Sequence, residues 1–160
     1  MINLAINYQV KVASKYEALF LNYTKIAFKL LQLKPELDLS VAFVSPLKIK
    51  DLNNRYRSKN KATDVLSFEE PEEVVICYQQ AKKQARELNK TIQAEVSFLF
   101  VHGLLHILGF DHQTDADEKI MNSLTEKILN NAKNNWTPIL FKMWKRFFIA
   151  KKDFFYYNKG

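Results

Sequence analysis

The stretch from Val101 to His112, VHGLLHILGFDH, constrains the fold more than any other part of the sequence. It holds all three histidines of the 160-residue chain and two of its three glycines. His102 and His106 are four residues apart in a segment that predicts a helix, so their rings leave one helix face a turn apart. Gly109 permits a left-handed turn after that helix, which lets the chain reverse and returns His112 toward the first two rings.

Three imidazoles that converge in this way are typical of a metal site. A set of three nitrogens leaves the fourth tetrahedral position open to water, as in catalytic rather than structural zinc. We therefore expect His102, His106 and His112 to bind Zn²⁺, with another divalent transition metal as the alternative ion. Partly buried or surface histidines are the other interpretation. It is disfavoured because three randomly placed histidines in 160 residues fall within so short a window about one time in a hundred.

The histidines and Gly109 also match the offsets of the metalloprotease pattern H-E-x-x-H-x-x-G-x-x-H, which predicts a zincin-like metal helix. Gly103 stands where that pattern has a glutamate. Because that glutamate takes a proton from the metal-bound water, its absence makes a metallopeptidase a less favoured function. A glycine inside a helix costs about 1 kcal/mol relative to alanine, which we interpret as a close approach of substrate or backbone.

The remaining sequence predicts strands interspersed with helices. Strands are predicted over 2–10, 39–45, 64–69 and 74–78, and helices over 14–33, 46–57, 79–89, 92–108 and from 115 onward. Ser14 with Glu17, and Asp115 with Glu118, have the spacing of capping boxes at two helix starts, and Thr91 is a third candidate cap. This order favours an α/β or α+β class, with a small sheet of about four strands covered by helices.

Composition limits the compartment and the partners. The chain has a single cysteine, its first residues lack signal-peptide features, and its apolar runs are far shorter than the roughly 20 residues of a membrane span. We therefore expect a cytoplasmic protein without stable membrane insertion. Most of the net charge of +7 lies after residue 133. A second basic cluster, residues 48–61, has six cations against the single Asp51 and is either a partner-binding surface or a solvated loop.

Residues 134–160 form an aromatic and basic extension that follows a single domain over 1–133. As a helix beyond Pro138 the extension is amphipathic. That pattern allows docking on the domain, stacking on RNA or lying on a membrane surface.

The run H-G-x-L-H-x-x-G-x-D-H over 102–112, together with LNNRYRSKNKATDVLSF over 52–68, resembles the YbeY family of bacterial rRNA maturation factors. The resemblance extends from the first strand to about Leu129. It implies an α+β fold with a small mixed sheet, one metal per chain held by the three histidines, and single-strand-specific, metal-dependent endoribonuclease activity. It also implies a role in 16S rRNA processing, small-subunit maturation and ribosome quality control, with ribosomal RNA, the small subunit and its assembly proteins as partners. The alternative is a non-catalytic assembly factor in which a structural metal braces a surface that binds RNA or the ribosome.

Position by position, Arg57 matches the motif arginine that is proposed to face the cleft, where a guanidinium can assist the charged intermediate. A surface cation and a salt-bridge partner are the alternatives. Asp111 either orients a ligand imidazole or forms a turn. Five further cations could guide RNA toward the metal, namely Lys48, Lys50, Arg55, Lys59 and Lys61. The chain departs from the family over 69–73, where a shortened loop has Glu72 and Glu73 in place of a Gly-Asp pair.

Overall fold

A computed structural model of the protein describes residues 1–131. Its elements are β1 (Ile2–Tyr8), α1 (Glu17–Leu31), β2 (Leu37–Val44), α2 (Pro46–Arg57), β3 (Val65–Phe68), β4 (Glu73–Cys77), α3 (Tyr78–Glu87), α4 (Ile92–Ile107) and α5 (Asp115–Asn131). Each predicted strand and helix is present, with ends that shift by a few residues. The predicted α+β class is thereby confirmed. The extension over 134–160, and with it the predicted domain boundary, lies outside the described residues.

The four strands form one mixed sheet in the order β1-β2-β4-β3. β1 pairs with β2 and β2 with β4 in parallel, whereas β3 pairs with β4 in the antiparallel direction. The parallel connection from β1 to β2 runs through α1, as parallel neighbours require a crossover. β3 is an edge strand, so within residues 1–131 one of its two sides has no neighbouring strand.

The two faces of the sheet are covered unequally. The main core joins one face to α1, α4 and α5 and includes Phe20 and Phe100, whose rings stack with centroids 3.8 Å apart. The opposite face carries a smaller core in which Ile49 of α2 packs against Val44 and Val75. The helix with the histidines and the basic helix therefore lie on opposite faces of one sheet.

The sequence predicted the N-terminal cap of one helix correctly, whereas its predictions for two others differ from the structure. The Thr91 hydroxyl accepts the N–H of Ala94 at 3.1 Å, which confirms that cap. The predicted capping box at Ser14 is wrong. α1 begins at Glu17, and the backbone N–H of Tyr16 instead donates to the hydroxyl of Tyr8 on β1 at 2.9 Å. A tertiary contact therefore decides where α1 begins.

The predicted capping box at Asp115 is displaced by one residue. The hydroxyl of Thr114 accepts the N–H of Asp117 at 3.2 Å and donates to its carboxylate at 2.9 Å. Within residues 1–131, no helix combines the length and the apolar character needed to cross a membrane.

Candidate metal centre

The metal centre predicted from the sequence is built on α4 and the turn that ends it. Gly109 has a φ of +86°, which confirms the predicted left-handed turn. Its N–H donates to the carbonyl of His106, and the N–H of Phe110 donates to that of Leu105, both at 2.9 Å. These two bonds are those of a Schellman motif, which satisfies the last carbonyls of a helix and turns the chain away from its axis. The chain that leaves this turn carries His112.

The structure brings the three predicted histidines together. The ring centroids of His102 and His106 are 4.9 Å apart, and those of His106 and His112 are 5.1 Å apart. One ring nitrogen from each histidine lies within 4.8 Å of the others. His102 and His106 are half-buried, whereas His112 is exposed. The described residues therefore contain a three-histidine group that can share one metal ion and has a side open to solvent.

Burial and mutual repulsion lower the pKa of two of these rings. Burial, reinforced by His106 and His112, lowers the pKa of His102 to about 4, against the opposing charge of Asp64. Burial also lowers the pKa of His106, aided by His112 and Arg57, while a hydrogen bond to the backbone of Phe110 opposes the shift. A neutral imidazole is the form that coordinates a metal, so this environment favours binding near neutral pH.

The donor set fits a divalent transition metal. The Nδ1 atom of His102 is buried and lacks a hydrogen-bond partner among residues 1–131. An unpaired polar atom in the interior is unfavourable and rare in folded proteins. Three neutral imidazoles that face a common point, one of them with an unsatisfied nitrogen, suit the binding of a cation such as Zn²⁺.

Gly103 is explained by the packing of α4 on the sheet. A Cβ atom at this position would lie 2.9 Å from Cγ1 and 3.2 Å from Cγ2 of Val74 on β4. The close approach expected from the sequence is therefore made by a side chain of the sheet, and not by substrate or backbone. A glutamate at 103 would be directed at Val74, so the acid of the metalloprotease pattern has no place here.

Comparison with known proteins assigns the family. Residues 3–133 match the family model described as Endoribonuclease YbeY. The chain belongs to the YbeY family. Endoribonuclease YbeY of Acholeplasma laidlawii is 44% identical over 107 residues, which cover 62% of this chain and 78% of that protein. The protein of the same name from Spiroplasma citri is 40% identical over 126 residues, which cover 69% of this chain and 80% of that protein.

A solved structure extends the likeness to the fold. The solution structure of TM1509 from Thermotoga maritima superposes with a TM-score of 0.56 at 28% sequence identity. The superposition covers 81% of this chain and 87% of TM1509. The mixed sheet with its covering helices is therefore shared with that protein.

Arg57, which the YbeY resemblance places in the cleft, is the last residue of α2. Its side chain is exposed, and its charge helps to lower the pKa of His106, so it acts electrostatically on the histidine group. The ion pairs within residues 1–131 join Arg55 to Asp51 and Lys83 to Glu87. Arg57 has no carboxylate partner in that part of the chain, which weighs against the salt-bridge alternative.

The remaining predicted cations lie on α2 and the loop that follows it. Lys48, Lys50, Arg55, Lys59 and Lys61 are all exposed. The buried side chain of Asn53 donates to the carbonyl of Lys61 at 2.8 Å and holds this loop against the helix. Sequence reasoning did not identify Asn53, because a single polar residue on a charged helix carries no signal of burial.

Asp111 makes the contacts of a turn-forming residue. Its carboxylate accepts the N–H of His112 and the side-chain amide of Gln113, each at 2.8 Å. Burial raises the pKa of Asp111, but these hydrogen bonds and the nearby histidines outweigh it and hold the pKa below its usual value. Its role as an acceptor for a ligand imidazole stays a prediction.

Two acidic residues outside the predicted site, Asp64 and Glu95, interact electrostatically, and Asp64 also acts on His102. The carboxylate of Asp64 accepts hydrogen bonds from the N–H of Val65 and the amide of Gln84, both at 2.8 Å. Glu95, two turns before His102 on α4, is only 3% exposed. Burial raises the pKa of Glu95, Lys90 opposes the shift, and Asp64 adds to it. Asp64 lies in the YbeY-like segment over 52–68, which was the available signal.

Proposed function

We propose that this chain is a metal-dependent, single-strand-specific endoribonuclease, and that His102, His106 and His112 hold one zinc ion per chain. The observation that carries the proposal is the convergence of three imidazoles at a face that is open to solvent. Membership of the YbeY family, and the name of its relatives in Acholeplasma and Spiroplasma, support the reaction class.

Each part of the site has a distinct task in this proposal. When bound, zinc lowers the pKa of water to about 7 and polarises a phosphoryl oxygen. The three histidines hold the ion on a rigid helix and its turn. The guanidinium of Arg57 donates two parallel hydrogen bonds to the scissile phosphate and stabilises the negative charge that develops there. Arg57 is thus the proposed catalytic residue.

The proposed substrate is the precursor of 16S rRNA, during small-subunit maturation and ribosome quality control in the cytoplasm. The partners are ribosomal RNA, the small subunit and its assembly proteins. The exposed cations of α2 and the following loop support an RNA substrate in general, because neutralised phosphates contribute affinity without specifying sequence.

The test is cleavage of a defined single-stranded RNA by protein of measured metal content. His102→Ala should lose stoichiometric zinc and about three orders of magnitude in kcat/KM, because metal catalysis contributes several kcal/mol. Arg57→Ala should keep the zinc and lose about 10²- to 10³-fold in kcat, the scale of removing one charge-stabilising donor. Arg86→Ala, an exposed arginine on α3, is the matched control and should cleave like the parent.

Two results would contradict the proposal. If both variants cleaved as well as the parent, a contaminating nuclease would account for the activity. If the zinc-loaded parent bound RNA without cleaving it, the non-catalytic assembly factor would be the better function.

A further inference from the structure

An exposed aromatic side chain stands in the middle of the cations of α2. Tyr56 is 63% exposed and lies between Arg55 and Arg57. Tyr56 contacts the ring of Phe68, with centroids 5.0 Å apart and an angle of 66° between the planes. This edge-to-face contact supports the tyrosine ring from one side and leaves most of it to solvent.

The supporting ring is itself held in place. Phe68 is the last residue of β3 and packs on the smaller core beneath α2. A ring on the end of a strand with a core contact loses little further entropy when a ligand binds beside it. Tyr56 and Phe68, which we call the aromatic pair, therefore form a surface that is ordered before any partner arrives.

The aromatic pair and the histidine group flank the same edge strand. Val65 begins β3, and its Cγ2 atom lies 3.5 Å from the position of a Cβ at Gly103, next to His102 on α4. Phe68 ends β3 and faces α2 on the other side of the sheet. Arg57 follows Tyr56 directly and is the last residue of α2. Both regions therefore border β3, the edge strand of the sheet.

The charges around the aromatic pair fit a polyanion. Residues 48–61 contain six cations and one acid, and that acid, Asp51, already pairs with Arg55 at 2.8 Å. Aromatic rings inside a cationic surface are the common means of binding single-stranded nucleic acid, because bases stack on the rings while cations follow the phosphates. The other strongly exposed apolar residue of α2, Leu47, lies at the opposite end of the helix. The apolar surface here suits one base better than a protein partner.

We infer that Tyr56, supported by Phe68, is a stacking platform for one unpaired base of the RNA, beside the nucleotide whose phosphate Arg57 holds. The inference rests on the proposed function and adds how the site selects its substrate. Because a base in a duplex is already stacked on its neighbours, only an unpaired base is free to stack on Tyr56. The platform thus favours single strands and tolerates any base.

Affinity for a short unstructured oligoribonucleotide at fixed salt tests the platform. Tyr56→Ala should raise Kd by about 5- to 160-fold, the range of one base–aromatic stack. Tyr56→Phe should stay within about twofold of the parent, whereas Tyr56→Leu should lose affinity although it remains apolar. Leu88→Ala, which removes an exposed apolar side chain at the end of α3, is the matched control and should leave Kd unchanged. Equal melting temperatures show that all variants fold.

A single abasic nucleotide moved along the oligonucleotide locates the stack. In the parent, one abasic position should weaken binding, and in Tyr56→Ala that same position should have no further effect, as a double-mutant cycle requires for two groups in contact. Additive losses, or an unchanged Kd in Tyr56→Ala, would overturn the platform and favour a protein partner for this surface. Loss of cleavage in the parent with the Tyr56 coupling intact would instead reject the proposed nuclease and leave the platform standing.

Discussion

Helices α4 and α2 both contribute to the candidate site, but they are built in opposite ways. Nine residues of α4 are buried, whereas α2 buries only Ile49 and Asn53. A metal needs ligands held at fixed distances, which a buried helix provides through packing. An RNA backbone needs cations that reach solvent, which an exposed helix provides. Substitutions in α4 should therefore act mainly on folding and metal content, and those in α2 mainly on RNA binding.

The largest expected effect is on the α4 side. Gly103→Glu restores the metalloprotease pattern but places a carboxylate against Val74, where a Cβ alone would lie 2.9 Å from Cγ1. We expect a loss of more than about 3 kcal/mol in the free energy of unfolding, because a buried charge without a partner is strongly unfavourable. Urea denaturation measures this loss of stability.

The control is the double variant Gly103→Ala/Val74→Ala, because Val74→Ala removes the two methyl groups that the new Cβ would otherwise meet. The pair should show a favourable coupling relative to the two single variants. Peptidase activity in a stable Gly103→Glu protein would contradict our account of this position.

The second effect concerns pH and also belongs to α4. The pKa of His102 is about 4 in the folded protein, against 6.5 for the free side chain. Between these values the unfolded chain binds more protons, so stability falls as pH drops through this window, by up to about 1.4 kcal/mol per pH unit. Urea unfolding of EDTA-treated protein from pH 7 to pH 4 measures the slope. His102→Gln should flatten this slope, and equal slopes in both proteins would show that folding does not lower the pKa of His102.

The third effect is intermediate and tests what fixes the end of α2. Asn53→Ala removes the hydrogen bond to the carbonyl of Lys61 and should cost about 1–2 kcal/mol. Amide exchange should rise over 58–61, and RNA cleavage should fall, while zinc content stays at one per chain. Asn54→Ala, an exposed neighbour, is the matched control. A loss of zinc in Asn53→Ala would contradict the separation of the two helices.

The smallest effect on folding is expected at the exposed lysines. Lys50→Gln should change the free energy of unfolding by less than about 0.5 kcal/mol, as surface substitutions do. It should lower the slope of log Kd for RNA against log salt by about 1, the contribution of one phosphate contact. Lys25→Gln, an exposed lysine on α1, should leave that slope unchanged. An unaltered slope in Lys50→Gln would remove it from the RNA surface.

Predictions from the sequence were correct where they depended on residues that are close together in the chain. The helical spacing of His102 and His106 and the left-handed turn at Gly109 lie within eight residues, and the Thr91 cap depends on a bond to Ala94 three residues away. The prediction of a cap at Ser14 was wrong because the hydroxyl of Tyr8, on β1, accepts a hydrogen bond from the N–H of Tyr16. Asn53 and Glu95 were missed because burial of a polar side chain depends on which elements pack around it.

Periodicity and spacings of a few residues were enough to predict the element types and a metal-binding pattern, and they limited the class to α/β or α+β. The resemblance to the YbeY family then indicated α+β. Three features were visible only in the tertiary structure, namely the strand order β1-β2-β4-β3, the placement of α2 and α4 on opposite faces, and the reason for a glycine at position 103. These features depend on contacts between residues far apart in the chain, such as Gly103 with Val74 and Tyr56 with Phe68. Such contacts form only when the sheet is assembled, so no local pattern encodes them.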